Sequence, residues 1–317
     1  MTKLKAYLWQ SPRWFGAPFF GTATLLGAVL AGGIGVNAWL GLAVTLLIMA
    51  GGHTLNSWGD WITGLDRGET SERSAEKSYT GGQNLIAKGV MGLWETFFVG
   101  LAYYALALIP AVYLAHNVSW VMIPLVFAGM GISFWYSLIA KFTWTHELSL
   151  GVGVGPLAVL LGMFAVSPHP PVMNGILVSV PSAIVLSFLG LALDEAPDWE
   201  ANIKKGVHSM AFEVSRRSAS LEWYCTFWLV FMLIFHVFLI DIGILKPLTA
   251  IAFIPAITMI PALVFTRPPM PFMEAINYST ISTLAQRDAA RFQKVMLYIV
   301  AAGALYGILM LVGQMVG

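Results

Sequence analysis

Two short stretches carry most of the oxygen chemistry of this chain: Asn56-Ser-Trp-Gly-Asp60, with Asp66 a little further on, and Asp194-Glu-Ala-Pro-Asp198-Trp-Glu-Ala-Asn202. Helical positions i and i+4 lie ~40° apart in azimuth and ~6 Å apart in height. Asn56 and Asp60 therefore share a face, and Asp194, Asp198 and Asn202 do likewise if the helix runs that far. Pro197 permits a break there without turning Asp198 away, and Gly64 is placed to end the first helix, leaving Asp66 on a loop able to fold back towards Asp60. Oxygen-only clusters suit hard divalent cations, above all Mg2+, which keeps several waters and binds through a few carboxylates together with substrate phosphates. Two facing clusters would hold a diphosphate between metal ions, with Lys204, Lys205 and His208 adding positive charge nearby. The competing reading is a pair of solvated helix ends decorated by Asp and Asn. Recurrence at equivalent ends of two apolar spans favours function, because ionisable groups at membrane depth are costly.

The elements that must position these groups are membrane helices. Of the 317 residues, 58% are hydrophobic and 10% charged, against about 25% charged in a soluble domain. A hydrocarbon core of ~30 Å needs about 20 apolar helical residues. Windows of that kind fall near 17–36, 38–58, 94–115, 119–139, 147–166, 172–193, 221–240, 247–266 and 295–316. The runs are long and continuously apolar, without the period-two alternation of a barrel. The fold class is thus all-α, a polytopic membrane protein of about nine transmembrane helices in a bundle, with the first span retained rather than cleaved. Residues 1–317 read as a single domain of two four-helix halves, about 17–139 and 147–266, plus a ninth helix.

Long polar connections near 59–93, 140–146, 194–220 and 267–294 alternate with short apolar turns. Sixteen of the 17 Lys and Arg residues lie in the N-terminal segment or in those connections, leaving Lys246 on the other side, and all but Asp241 of the 16 acids share the crowded face. The positive-inside rule then puts the N-terminus and long loops in the cytoplasm and the C-terminus outside. A net charge of +1 gives no bias towards nucleic acid, and the single cysteine, Cys225, excludes an internal disulfide.

Other signals are weaker. His146-Glu147 opens a zinc-protease motif, but Leu150 stands where the second histidine belongs. Gly151-Val-Gly-Val-Gly155 lies within a span and reads as a helix-packing stripe. His53, on the Asn56 helix, reads first as a hydrogen-bonded packing residue and second as an acceptor contact. Trp58, Trp61, Tyr136 and Trp199 are interfacial anchors or faces for a carbocation.

The stretch Asn56-x-x-x-Asp60-x-x-x-Gly64-x-Asp66, followed by Tyr79-Thr-Gly-Gly82, resembles the first aspartate-rich motif of the UbiA superfamily of intramembrane prenyltransferases, closest to its menaquinone-pathway (naphthoate) branch. Glu195-Ala-Pro-Asp198-Trp-Glu-Ala-Asn202 with Gly206 resembles the second. Arg13, Tyr136 and Lys141 fall where members of that family carry substrate-binding residues. There are departures: Asn202 stands where a third carboxylate is common, Val207 where a lysine commonly follows the glycine, and Ser57 where an aspartate is frequent. The resemblance implies Mg2+-dependent transfer of a prenyl group from a prenyl diphosphate to a lipophilic, aromatic, quinone-precursor-like acceptor within the lipid bilayer. It makes Asp60, Asp66, Asp194 and Asp198 catalytic, with Asn56 joining them on the metal. Arg13, Asn56, Tyr136, Lys141, Asn202, Lys204 and Lys205 bind substrate. Two alternatives stand beside it: a non-catalytic subunit that binds a lipid or pigment in a degenerate site, and a cation-coupled transporter, which would carry broken spans with acids near the midplane.

Overall fold

The computed structural model describes residues 3–67, 85–195, 204–211, 213, 221–265 and 289–317. Among them the structure is helical apart from turns and one isolated bridge. After an N-terminal helical segment, Lys3–Gln10, come α1 (Ala17–Ala31), α2 (Val36–Ile62), α3 (Leu93–Asn117), α4 (Met122–Ala140), α5 (His146–Val166) and α6 (Val172–Glu195). They are followed by α7 (Leu221–Asp241), α8 (Phe253–Phe265) and α9 (Ala289–Val316). Eight of the described helices are long and apolar enough to cross a membrane, and Pro247–Met259 is a shorter apolar one. The chain is an integral membrane protein, and the expectation of about nine helices holds. The window at 247–266 opens as a 3-10 turn, Pro247–Ala252, with proline at its start.

The described residues form two compact units, Met1–Ile139 with Val152–Ser179, and Ala140–Gly151 with Val180–Gly317. In the first, glycines let helices meet backbone to backbone. A methyl group on Gly27 would sit 2.0 Å from the Val159 carbonyl oxygen, and one on Gly162 1.8 Å from that of Thr24, so α1 and α5 are in direct main-chain contact. The core between α2, α3 and α4 gathers Val44, Ile48, Leu55, Tyr104, Val126 and Met130. In the second unit, His236 joins α7 to its neighbours, its Nδ1 2.7 Å from the Tyr306 hydroxyl and its Nε2 2.9 Å from Thr249 Oγ1.

Besides the one at Ala6–Gln10 in the N-terminal segment, widened π-turns lie within three of the numbered helices, at Tyr136–Ala140, Gly153–Leu157 and Ile184–Gly190. Pro156 lies within the second and Pro181 just before the third. Proline lacks the N–H of the i→i−4 ladder, which accounts for the widening at those two. The third ends directly before the five residues, Leu191–Glu195, that carry Asp194.

Candidate active site

In the first unit the site is built on the end of α2. Asp60 is buried, and its Oδ2 accepts a hydrogen bond of 3.0 Å from Asn56 Nδ2, one turn back on the same face. With the amide nitrogen so engaged, Asn56 Oδ1 is left buried with no hydrogen-bond partner. The helix stops at Ile62, and Gly64, at φ +85°, supplies the left-handed conformation that reverses the chain. The Asp66 amide then donates to the Asp60 carbonyl at 3.1 Å, which folds the half-buried Asp66 back against the helix end. Gly59 keeps this end close to α4: a methyl there would lie 2.9 Å from the Ser137 carbonyl, beside the half-buried Tyr136.

Arg13 reaches the same helix from the N-terminal side. It is the non-glycine residue of positive φ, +50°, among those described, a conformation that costs about 1–3 kcal/mol and persists where surrounding contacts enforce it. Its Nη2 donates to Ser57 Oγ at 3.0 Å, while its Nε is buried without a partner. Ser11 and Thr54 join the segment to α2 through a 2.9 Å hydroxyl contact. Lys3 Nζ, 2.9 Å from Glu95 Oε1, and the Tyr7 hydroxyl tie it to α3. His53, one turn before Asn56, packs on Phe15 with ring centroids 5.7 Å apart, and its Nε2 is buried with no partner. The expected hydrogen-bonded packing histidine is therefore not what stands there. Trp58 packs on Phe97 of α3, centroids 4.9 Å apart.

In the second unit, Asp194 is half-buried at the end of α6 and Glu195 is buried beside it. Lys141 is buried as well, Lys204 is exposed and Lys205 half-buried. Val207, in the place of the frequent lysine, is buried. Asp198, Trp199 and Asn202 lie outside the described residues, as do Tyr79 to Gly82.

The donors present fit Mg2+. Among the described residues no three His, Cys, Asp or Glu side chains converge, but Mg2+ asks only for one or two carboxylates beside waters and phosphate oxygens. Asn56 Oδ1, on a side chain held by Asp60 and itself lacking a donor, has the oxygen chemistry that such a site uses.

A family model describing the UbiA prenyltransferase family matches residues 19–271, which take in both aspartate motifs and helices α1 to α8. The chain belongs to this family. It is 29% identical over 221 residues to 1,4-dihydroxy-2-naphthoate octaprenyltransferase of Bacillus subtilis (strain 168), covering 67% of each chain. Its fold is like that of a UbiA homolog from Aeropyrum pernix K1, with a TM-score of 0.65 at 14% identity, covering 93% of this chain and 97% of that one. It is also like that of a UbiA homolog from Archaeoglobus fulgidus bound to GPP and Mg2+, with a TM-score of 0.56 at 15% identity, covering 93% and 99%.

Sequence reasoning missed two contacts, one in each unit. Ser57 is the anchor for Arg13, a role invisible in a position noted only for lacking a carboxylate. Glu147 accepts two backbone amides; the one signal for it was an acid at the head of an apolar span.

Proposed function

We propose that this protein is a Mg2+-dependent prenyltransferase that joins a prenyl group from a prenyl diphosphate to a lipophilic aromatic acceptor of the naphthoate type. The observation that carries the reading is the buried Asn56–Asp60 pair with its unpartnered amide oxygen. Mg2+, when bound, would neutralise the departing diphosphate. Asn56, Asp60 and Asp66 from the first motif, and Asp194 and Asp198 from the second, are the residues proposed to hold it. Lys141, Lys204, Lys205 and Asn202 bind the diphosphate.

Cleavage of the allylic C–O bond leaves diphosphate and a prenyl cation. Preorganised charge at the leaving group is the main aid to such a step. Tyr136, Trp58 and Trp61 are the aromatic faces available to a cation, and the apolar surroundings exclude the water that would quench it. The acceptor ring carbon then forms the new C–C bond and loses its proton. Arg13 Nε and His53 Nε2, both buried without partners, suit the polar substituents of an aromatic acceptor. The domain is taken as one unit over 1–317 in two four-helix halves, about 17–139 and 147–266, plus a ninth helix. The N-terminus and long connections face the cytoplasm and the C-terminus the outside.

The test is turnover of purified protein with a labelled prenyl diphosphate, with and without Mg2+, against acceptors that include 1,4-dihydroxy-2-naphthoate. Mg2+-dependent transfer to the naphthoate and not to glyceryl lipids is expected. Transfer only to other acceptors rejects the acceptor assignment, and no transfer to any favours a lipid- or pigment-binding subunit.

A further inference from the structure

The head of α5 carries two buried ionisable side chains, His146 and Glu147, which the aspartate motifs leave unexplained. Glu147 is 1% exposed, and both its oxygens are used: Oε2 accepts the amide of Met210 and Oε1 that of Ala211, each at 2.9 Å. Two charge-assisted bonds to adjacent amides fix position and orientation together, where one would leave a pivot. A second tie lies beside this clamp. The His208 amide donates to the Lys141 carbonyl at 2.8 Å, and Phe142 and His208 form an isolated parallel bridge. His146 Nδ1 lies 3.1 Å from Glu195 Oε1, next in sequence to Asp194.

These contacts concentrate on a short basic stretch. Lys204, Lys205 and His208 precede the clamped amides by two to seven residues, with Gly206 at φ +78° turning the chain between them. Lys141 is joined to His208 through the main chain. Lysine side chains lose rotamer freedom when they grip an anion, and a backbone already fixed leaves less for the ligand to order.

We propose that Glu147 is a positioning residue for diphosphate binding: by clamping Met210 and Ala211 it holds Lys204, Lys205 and His208 in register with Lys141. This rests on the diphosphate reading of the site. The bland competitor is a tether that serves folding alone.

The measurement is binding of inorganic pyrophosphate, with Mg2+ present, to the full-length protein in detergent, alongside KM for diphosphate and acceptor. Glu147→Ala should weaken pyrophosphate binding at least tenfold and raise the diphosphate KM in proportion, leaving the acceptor KM unchanged. Glu147→Gln keeps one acceptor oxygen and should fall between. Ala211→Pro removes one donor N–H in a first helical turn, where proline is tolerated; it should also weaken pyrophosphate, and carries the test with Glu147→Gln if the alanine variant does not fold. Wild-type affinity in folded variants overturns the clamp alone. Wild-type protein that binds no pyrophosphate overturns the diphosphate reading and the proposal with it.

Discussion

A buried polar atom without a partner costs about 1–3 kcal/mol, and three of them, Asn56 Oδ1, Arg13 Nε and His53 Nε2, belong to residues on or against one stretch of α2. The proposed function assigns all three to ligands. The first motif was legible because the i, i+4 spacing of Asn56 and Asp60 is a helical address, and the 3.0 Å bond between them occupies it. Glu147 was not legible in its role, since its partners are main-chain amides 63 and 64 residues away and an amide has no residue type to read. Nor was the bond from Arg13 to Ser57, made by an arginine whose φ is positive. His53 offers the test at this scale. His53→Ala should raise the KM for the acceptor about three- to tenfold, the loss of one hydrogen bond, with the diphosphate KM unchanged. Equal rises in both constants would make His53 a general packing residue.

Helices long enough to span the bilayer were read directly from apolar length, since lipid forces every backbone group to be satisfied within its own segment. The widened turns were hidden: Pro156 and Pro181 hint at two of them, but the one at Tyr136–Ala140 has no proline within it. The main-chain contact of α1 with α5 was foreshadowed only in kind, because the small-residue stripe singled out in sequence was 151–155, while the tightest approach is at Gly162. Gly162→Ala should therefore lower stability by about 1–3 kcal/mol through overpacking, measured as thermal unfolding in detergent. Gly131→Ala, where a methyl meets nothing within 4 Å, should leave the midpoint nearly unchanged. Equal effects would show that the close approach is not a constraint.

The whole molecule is organised by charge placement, with sixteen of the 17 Lys and Arg residues in the N-terminal segment and the long connections. Cysteines introduced at Lys204 and at Lys246, in a background lacking the buried Cys225, should react with a membrane-impermeant maleimide from opposite sides of oriented vesicles. Labelling of both from one side would reject the topology. The central proposal is that prenyl transfer from a diphosphate needs the aspartates of both motifs. Its most direct measurement is prenyl transfer by Asp60→Asn and Asp198→Asn proteins at saturating Mg2+. Each change keeps size and removes charge, and losing ~4 kcal/mol of leaving-group stabilisation costs about a thousandfold in rate. The account predicts a loss of that order in both variants; wild-type turnover surviving either change would contradict it.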